Sequence, residues 1–312
     1  MPQVIDVLVK DEEEACKVAN KYLLFFCEPS APNAGCFDQE PLRWAIPENR
    51  KRVYDIRKVI TTLCDKDSVL ELRRGYGGIV TCLCRLGGNA VGLLANDPLA
   101  NGGAIGGDCA LKASRFMKLC DAFGVPIVTL VDTPGFLVGP VNELDAPIRK
   151  TSNMFVTASS LTVPVFSVIL RKAYGLGAMA MTGGSFQKPQ LIVSWPLGEL
   201  GPMGLEGAVK LGILQLSFFG VDDSLMTRNF LPTGFSKQLT SVKSEKDRKQ
   251  LEQRLIRSAY ENGSCLNAAS LFEVDNVIDP AETRKVLITS IECRVPVVRL
   301  PSHKMRHSIP TW

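Results

Sequence analysis

A mostly apolar segment, Val163 to Leu170, runs into the glycine turn Gly175-Leu-Gly-Ala178 and then into an apolar helix start. A strand that is apolar on both faces is typical of the interior of a parallel sheet. The first N–H groups of a helix lack internal acceptors and lie at the positive end of its dipole. The pattern therefore predicts a turn at which backbone N–H groups bind an anion.

The same alternation of apolar strands and helices continues along the chain from Arg52 onward. It predicts an α/β fold in which helices cover the sheet. The predicted helices lie at about 55–64, 108–123, 148–161 and 175–181, and the predicted strands at about 69–72, 78–86, 90–96, 126–131, 164–170 and 190–195.

The segments outside this alternation are simpler. Val4 to Val9 alternates like a short strand, and Asp11 to Phe26 has the periodicity and acidic first turn of a helix. Four prolines between Glu28 and Asn49 predict an extended linker. Ser241 to Asn262 predicts a surface helix with a charged face.

The composition of the chain argues against several kinds of functional site. The only two histidines, His303 and His307, lie in the last ten residues, so a histidine base or a histidine-rich zinc site is not expected. The ten cysteines form no Cys-x-x-Cys pair, which predicts reduced thiols rather than a metal site. A net charge of +4 with scattered basic residues argues against nucleic-acid binding. The sequence also lacks a signal peptide and a run long enough to span a membrane, so we expect a soluble protein.

Glycine clusters stand at the ends of three predicted strands, in 100–108, 132–136 and 175–178. Ligands of α/β proteins bind beyond the carboxyl ends of the strands, so these turns predict one shared site. Each glycine could instead serve a tight turn that needs a positive φ. Gly175-Leu-Gly-Ala-Met-Ala180 also fits a loose dinucleotide-binding pattern, although no acidic residue follows the next strand to bind a ribose.

Several charged residues near these turns have more than one interpretation. Asp132 could be catalytic, could bind a metal or could accept hydrogen bonds from its own turn, and we favour the structural role. Arg171 and Lys172 could steer an anion or simply end a strand. Glu199 and Glu206 lie seven residues apart, but Gly201-Pro202 would break a helix that placed both carboxylates on one face.

A set of ordered motifs from about Val4 to about Arg284 resembles the carboxyltransferase (beta) subunit of biotin-dependent acyl-CoA carboxylases, in particular its carboxy-terminal domain. The motifs are Ile46-Pro-Glu-Asn-Arg50, Asn96-Asp-Pro98, Gly102-Gly-Ala-Ile105, Arg115-Phe-Met-x-Leu-Cys-Asp-Ala-Phe123, Pro126-Ile-Val-x-Leu-Val-Asp-Thr-Pro-Gly-Phe136, Arg171-Lys-Ala-Tyr-Gly-Leu-Gly-Ala178 and Trp195-Pro-x-Gly-Glu-x-Gly-x-Met-Gly-x-Glu-Gly-Ala208.

The resemblance implies a crotonase-like ββα spiral of the ClpP/crotonase type. It also implies a domain division: residues 1–27 are a strand and helix left from the preceding domain, 28–50 are a linker, 51–292 are the carboxyltransferase carboxy-terminal domain, and 293–312 are a divergent tail. Family active sites combine this domain with an acyl-CoA-binding half. The chain would therefore need that half, a biotin carboxylase and a biotin carrier protein as partners, in an oligomer.

The same resemblance assigns roles to the glycine turns. The N–H groups of Leu176 and Gly177 are the expected donors to an oxygen of carboxybiotin, because donors placed where negative charge develops lower the barrier. The substrate would be an acyl-CoA of undetermined length, with no metal. The other residues expected to contact biotin or substrate are Gly175, Ala178, Met179, Gly102, Gly103, Gly135 and Phe136.

Two rival interpretations stay open at this point. One is a biotin-dependent acyl-CoA decarboxylase subunit, which transfers the carboxyl group in the opposite direction. The other is a non-catalytic subunit or gene fragment without the acyl-CoA-binding half. The family occurs in bacterial cytoplasm and in mitochondria or plastids, so the resemblance implies the cytoplasm or an organelle matrix.

Overall fold

A computed structural model describes residues 5–28, 31, 35–144, 147–207, 209 and 245–293. Within these ranges the α-helices are α1 (Glu12–Cys27), α2 (Ile56–Leu63), α3 (Gly107–Phe123), α4 (Pro140–Glu143), α5 (Pro147–Ser160), α6 (Gly175–Met181), α7 (Glu245–Asn262), α8 (Cys265–Ser270) and α9 (Thr283–Glu292). The strands are β1 (Leu70–Leu72), β2 (Ile79–Leu86), β3 (Asn89–Asn96), β4 (Ile127–Thr133), β5 (Val165–Tyr174), β6 (Leu191–Ser194), β7 (Glu199–Gly201) and β8 (Asn276–Val277).

These strands form one sheet in the order β1-β2-β3-β4-β5-β6-β8, and β7 pairs with the far end of β5. Strand β2 is antiparallel to both β1 and β3, whereas β3, β4, β5, β6 and β8 run parallel. The predicted α/β class is therefore confirmed. The carboxyl ends of β3, β4 and β5 meet at one edge, because parallel neighbours point the same way.

Side-chain alternation along the strands divides the core into two layers. On β2, Ile79 and Leu83 pack with α3 and α5, while Val80 and Cys82 pack on the opposite face with α2 and α9. Successive strand residues point to opposite faces, so a sheet covered on both sides needs apolar residues at consecutive positions. This explains why the predicted strands read as continuous apolar runs.

Of the two elements predicted before residue 28, one is wrong and one is confirmed. The strand expected over Val4 to Val9 does not form in residues 5–9, and Val4 lies outside the described residues. This segment is held instead through Asp6, whose carboxylate pairs with Arg73 at 2.8 Å and whose carbonyl accepts the Arg73 N–H. The helix after it is confirmed, with Asp11 capping its first turn through the Glu14 N–H.

The segment 28–50 is not a simple extended linker. Its second half contains a 3-10 helix, Glu40–Trp44, and the side chains of Leu42 and Ile46 are buried in the core layer beside α2. Apolar burial fixes this half to the domain, which the proline count did not indicate. Residues 29, 30 and 32–34 lie outside the described part.

The elements that follow α7 were not predicted. Helix α9 packs Leu287 and Ile291 into the core, and its Arg284 forms a buried ion pair with Asp65. The charged helix expected over Ser241 to Asn262 begins at Glu245 in the described residues. The tail from 294, with His303 and His307, lies outside them.

All ten cysteines lie in the described residues. All ten cysteines are unpaired. Six are buried, whereas four are exposed: Cys16, Cys27, Cys36 and Cys293. None of the described helices is both long and apolar enough to cross a bilayer.

Candidate functional site

Three glycine turns lie together at the carboxyl edge of the parallel strands. The turn after β3 contacts the turn after β4, because the Ile105 N–H donates to the Gly135 carbonyl at 3.0 Å and the Ile105 carbonyl accepts the Leu137 N–H at 2.9 Å. Gly103, at φ +88°, packs so closely that a Cβ would lie 2.2 Å from the Asp132 carbonyl oxygen. The first two turns therefore lie against each other, and the shared ligand site stays a prediction.

The third turn, after β5, packs on the second. A Cβ at Gly177 would lie 2.7 Å from the Cα of Gly135 and 3.1 Å from the Phe136 nitrogen. A Cβ at Gly175, at φ +57°, would lie 2.5 Å from the Pro202 carbonyl oxygen. Both glycines are therefore required by close backbone contact, and for Gly175 the positive φ adds a second requirement.

The third turn forms the amino-terminal end of α6. Tyr174 is the N-terminal cap residue of α6, and no side chain caps the first turn of the helix. The N–H groups of Leu176 and Gly177 have no acceptor one turn earlier within the helix. The Leu176 residue is 61% exposed, while Gly177 and Ala178 are buried. Met179, the next residue, is half-buried, and so is Phe136 in the second turn.

Asp132, at the end of β4, is fully buried and fully engaged. Its Oδ2 accepts hydrogen bonds from the Tyr54 hydroxyl at 2.9 Å and from Arg171 Nη2 at 3.0 Å, and its Oδ1 accepts the Lys172 N–H at 3.1 Å. Burial, together with the negative charge of Asp132, raises the pKa of Tyr54 well above its ordinary value, so the hydroxyl stays protonated. Asp132 therefore has the structural role that we favoured, although its donors come from β5 and Tyr54 rather than its own turn.

Arg171 does not end a strand in solvent, and its side chain is 2% exposed. Besides Asp132, its guanidinium donates to the Arg52 carbonyl at 2.9 Å. Lys172 is different, because its Nζ donates to the Gly102 carbonyl at 3.1 Å and lies 4.0 Å from Asp132 Oδ1. Burial lowers the pKa of Lys172, and the charge of Asp132 partly opposes this. Lys172 thus joins the β5 end to the first glycine turn.

Glu199 is a residue whose role the sequence did not indicate. It is buried on β7 and pairs with the guanidinium of Arg50, and it accepts a 2.6 Å hydrogen bond from the Tyr174 hydroxyl. Glu206 lies in a different setting, at 3.9 Å from Lys51 on the surface. The two carboxylates therefore have separate partners. The available signal was the co-occurrence of the motifs that contain Arg50, Tyr174 and Glu199.

The rest of the described residues contains a cavity but no cluster of metal ligands. No cluster of three or more potential metal ligands occurs there. A cavity of about 1320 Å³ lies between the amino-terminal segment, α2 and the β1–β2 pair, but none of the glycine turns lines it. The turns are the candidate site because close backbone packing coincides there with helix N–H groups that have no intrahelical acceptor.

Together, the fold and site define an α/β protein whose three glycine turns lie together at the carboxyl edge of a parallel sheet. Comparison with known sequences identifies its family. Residues 4–307 match the model of the carboxyl transferase domain, and the chain belongs to this family. Its fold is the crotonase-like fold of the carboxyltransferases, as the sequence resemblance predicted.

Individual relatives support this assignment. The chain is 31% identical over 313 residues to the biotin-dependent acetyl-/propionyl-coenzyme A carboxylase beta6 subunit of Mycobacterium tuberculosis, covering 97% of this chain and 59% of that protein. A crystal structure of transcarboxylase 12S, a hexamer with methylmalonyl-coenzyme A bound, superposes with a TM-score of 0.81 at 29% identity, over 98% of this chain and 55% of that one. The structure of a single-chain, multi-domain long-chain acyl-CoA carboxylase superposes with a TM-score of 0.75 at 41% identity. The match covers 91% of this chain and 26% of that one.

The chain spans about half the length of the curated relatives it matches. These comparisons do not support the nicotinamide or flavin interpretation of the Gly175 turn, because the relatives are carboxyltransferases. The division of the chain at residues 27, 50 and 292 stays a prediction.

Proposed function

We propose that this chain is the biotin-binding half of a carboxyltransferase that moves CO2 from carboxybiotin to the α-carbon of an acyl-CoA. The observation that carries the proposal is the contact between Gly177 and the Gly135 turn, which sets the start of α6 against the turn that follows β4. Membership in the carboxyl transferase family and the biotin dependence of the relative from Mycobacterium tuberculosis support it.

The residues at this turn fit a biotin ureido group. That group offers an oxygen that becomes more negative when the carboxyl group leaves, and its ring nitrogen can accept a proton from the substrate α-carbon. Leu176 and Gly177 present N–H donors with no intrahelical partner, and the glycine backbone leaves no Cβ at positions 175 and 177. Donors fixed in advance stabilise developing charge without reorganising during the reaction.

The surrounding residues keep these donors in place. Gly135 and Phe136 pack against Gly177. Lys172 Nζ donates a hydrogen bond to the Gly102 carbonyl, which joins the end of β5 to the first turn. The Asp132–Arg171 pair joins the ends of β4 and β5, from which the second and third turns begin. In this proposal none of these side chains acts as the base, which agrees with the absence of histidine from the first 302 residues.

The substrate is proposed only as an acyl-CoA. Met179 is half-buried beside the turn, where an unbranched, flexible side chain can adapt to acyl groups of different size. Acetyl, propionyl and longer chains remain in the proposal. The acyl-CoA-binding half, a biotin carboxylase and a biotin carrier protein are the proposed partners, in an oligomer located in the cytoplasm or an organelle matrix.

Reconstitution tests the proposal directly. The chain is assembled with a partner that supplies the acyl-CoA half and is then given carboxylated biotin carrier with acetyl-, propionyl- or a long-chain acyl-CoA. We expect a dicarboxylic acyl-CoA product by mass spectrometry from at least one substrate. Lack of product from all of them, with carrier that a known carboxyltransferase can use, contradicts the proposal. Transfer only from product to biotin would instead identify the decarboxylase direction.

A further inference from the structure

Three of the sequence motifs meet at one buried carboxylate. Glu199 lies on β7, whose pairing with β5 sets Lys172 opposite Glu199 and Tyr174 opposite Gly201. One carboxylate oxygen accepts the Tyr174 hydroxyl at 2.6 Å, and the other pairs with Arg50. Tyr174 is the residue that immediately precedes Gly175 and caps α6. The carboxylate is therefore one side chain away from the glycine turn.

We infer that Glu199 is a positioning residue for the proposed transfer, setting the N–H groups of Leu176 and Gly177 through Tyr174. This inference rests on the proposed function. Glu199 cannot itself reach a substrate readily, because its side chain is 7% exposed and both oxygens already have partners. Its effect passes through the backbone of the residue that it holds.

Contacts on both sides of Tyr174 hold it rigidly between Glu199 and the glycine turn. The tyrosine is buried, and burial together with the hydrogen bond to Glu199 raises its pKa, so the hydroxyl remains a donor. The residue that follows β7 contributes again, because the Pro202 carbonyl lies against Gly175 where a Cβ would be. A change at Glu199 thus loosens two supports of the same turn.

Arg50 supplies the compensating charge from the solvent side. Its guanidinium lies 3.9 Å above the ring centroid of Tyr260 on α7, in a cation–π arrangement, and its side chain is 48% exposed. The Leu200 N–H also donates to the Gly263 carbonyl at 2.8 Å, just after α7. The segment before the domain and the helix α7 are thereby joined to the glycine turn through β7.

The test compares Glu199→Gln and Tyr174→Phe with Glu206→Gln as the matched control, because Glu206 is a nearby carboxylate on the surface. Each variant is measured as the full chain assembled with its acyl-CoA-binding partner. Hydrogen–deuterium exchange of the peptide from Gly175 to Met181 is measured in parallel. Tyr174→Phe removes one hydroxyl and keeps the packing, so it tests the relay even if Glu199→Gln folds poorly.

We expect both variants to lower kcat about 10- to 100-fold and to leave KM for acyl-CoA within about twofold, because misplaced donors act on the transition state. Exchange at the turn should increase, and the double variant should lose no more than the single ones, since the residues act in one relay. Glu206→Gln should resemble wild type. Unchanged kcat, or a loss confined to thermal stability, overturns the inference.

The two proposals fail in different ways. If the wild-type assembly transfers no CO2, the proposed function is wrong, and the exchange measurement still decides whether Glu199 orders the turn. If the wild type transfers CO2 and the exchange at the turn is the same in all variants, the positioning role is wrong while the proposed function stands.

Discussion

Arg171 and Asp132 form an ion pair in the core, with Nη2 and Oδ2 3.0 Å apart and the side chains 2% and 0% exposed. The pair joins β5 to β4 at the edge where the glycine turns lie. Two charges can be buried at this point because Tyr54, the Lys172 N–H and the Arg52 carbonyl satisfy their remaining hydrogen-bonding atoms. The pair therefore fixes the ends of β4 and β5, from which two of the glycine turns begin.

Replacing Asp132 with alanine should lower the free energy of unfolding by about 3–5 kcal/mol, because it leaves the Arg171 guanidinium buried without a counter-charge. Urea denaturation at neutral pH measures this change. Glu13→Ala is the control, since the Glu13–Lys17 pair is exposed on α1 and should be replaceable without a measurable change. Equal stability of the two variants would show that Asp132 is not the structural residue described here.

Replacing Gly177 with alanine should reduce kcat in the assembled enzyme about 10- to 100-fold, because the new Cβ would lie 2.7 Å from the Gly135 Cα and must displace the turn. Gly204→Ala is the control. A Cβ at Gly204 would meet no described heavy atom within 4 Å, so its kcat should equal that of wild type. A Gly177→Ala enzyme with normal turnover would remove the turn from the mechanism.

The sequence predicted the central sheet well because buried parallel strands carry a strong local signal. The strands that became β2 to β6, and the helices α2, α3 and α5, were expected within a few residues of their observed bounds. The three-residue strand β7 was not expected, because it has no room for periodicity and exists only through its pairing with β5. The strand prediction for residues 5–9 was wrong for the opposite reason. These residues alternate like a strand, but no neighbouring strand pairs with them.

The site was predicted unevenly for a related reason. The glycine turns could be found because glycine has a meaning in isolation, through positive φ or close backbone approach. Glu199 could not, because its role depends on Arg50 and Tyr174, which are 149 and 25 residues away in sequence. A buried hydrogen-bond network joins residues that no local pattern relates.

The stability of the protein should depend on pH through Lys112. Its Nζ donates to the carbonyls of Arg73, Tyr76 and Ile79, yet burial is the larger effect and lowers its pKa to about 8. An unfolded lysine titrates near pH 10.4. Between about pH 8 and pH 10 the unfolded state therefore binds more protons than the folded state, and Lys112 makes unfolding harder as pH rises.

The measurement is the free energy of unfolding of wild type minus that of Lys112→Met, followed from pH 7 to pH 10. The difference should rise above about pH 8 with a slope of at most about 1.4 kcal/mol per pH unit. Subtracting the variant removes other titrating groups that both proteins share. A flat difference would mean that the Lys112 ammonium stays charged throughout this range.

The domain boundary predicted at residue 292 can be tested by truncation. A chain that ends at residue 293 keeps α9, whereas one that ends at 282 loses it. The shorter chain removes the Arg284 partner of buried Asp65 and the hydrogen bond from Trp195 Nε1 to the Thr283 hydroxyl at 2.9 Å. It also uncovers the core layer that Leu287 and Ile291 complete.

Because an unpaired buried charge and lost apolar burial act together, we expect the chain ending at 282 to be unfolded by circular dichroism. The chain ending at 293 should melt cooperatively, and equal melting of both would place α9 outside the folding unit.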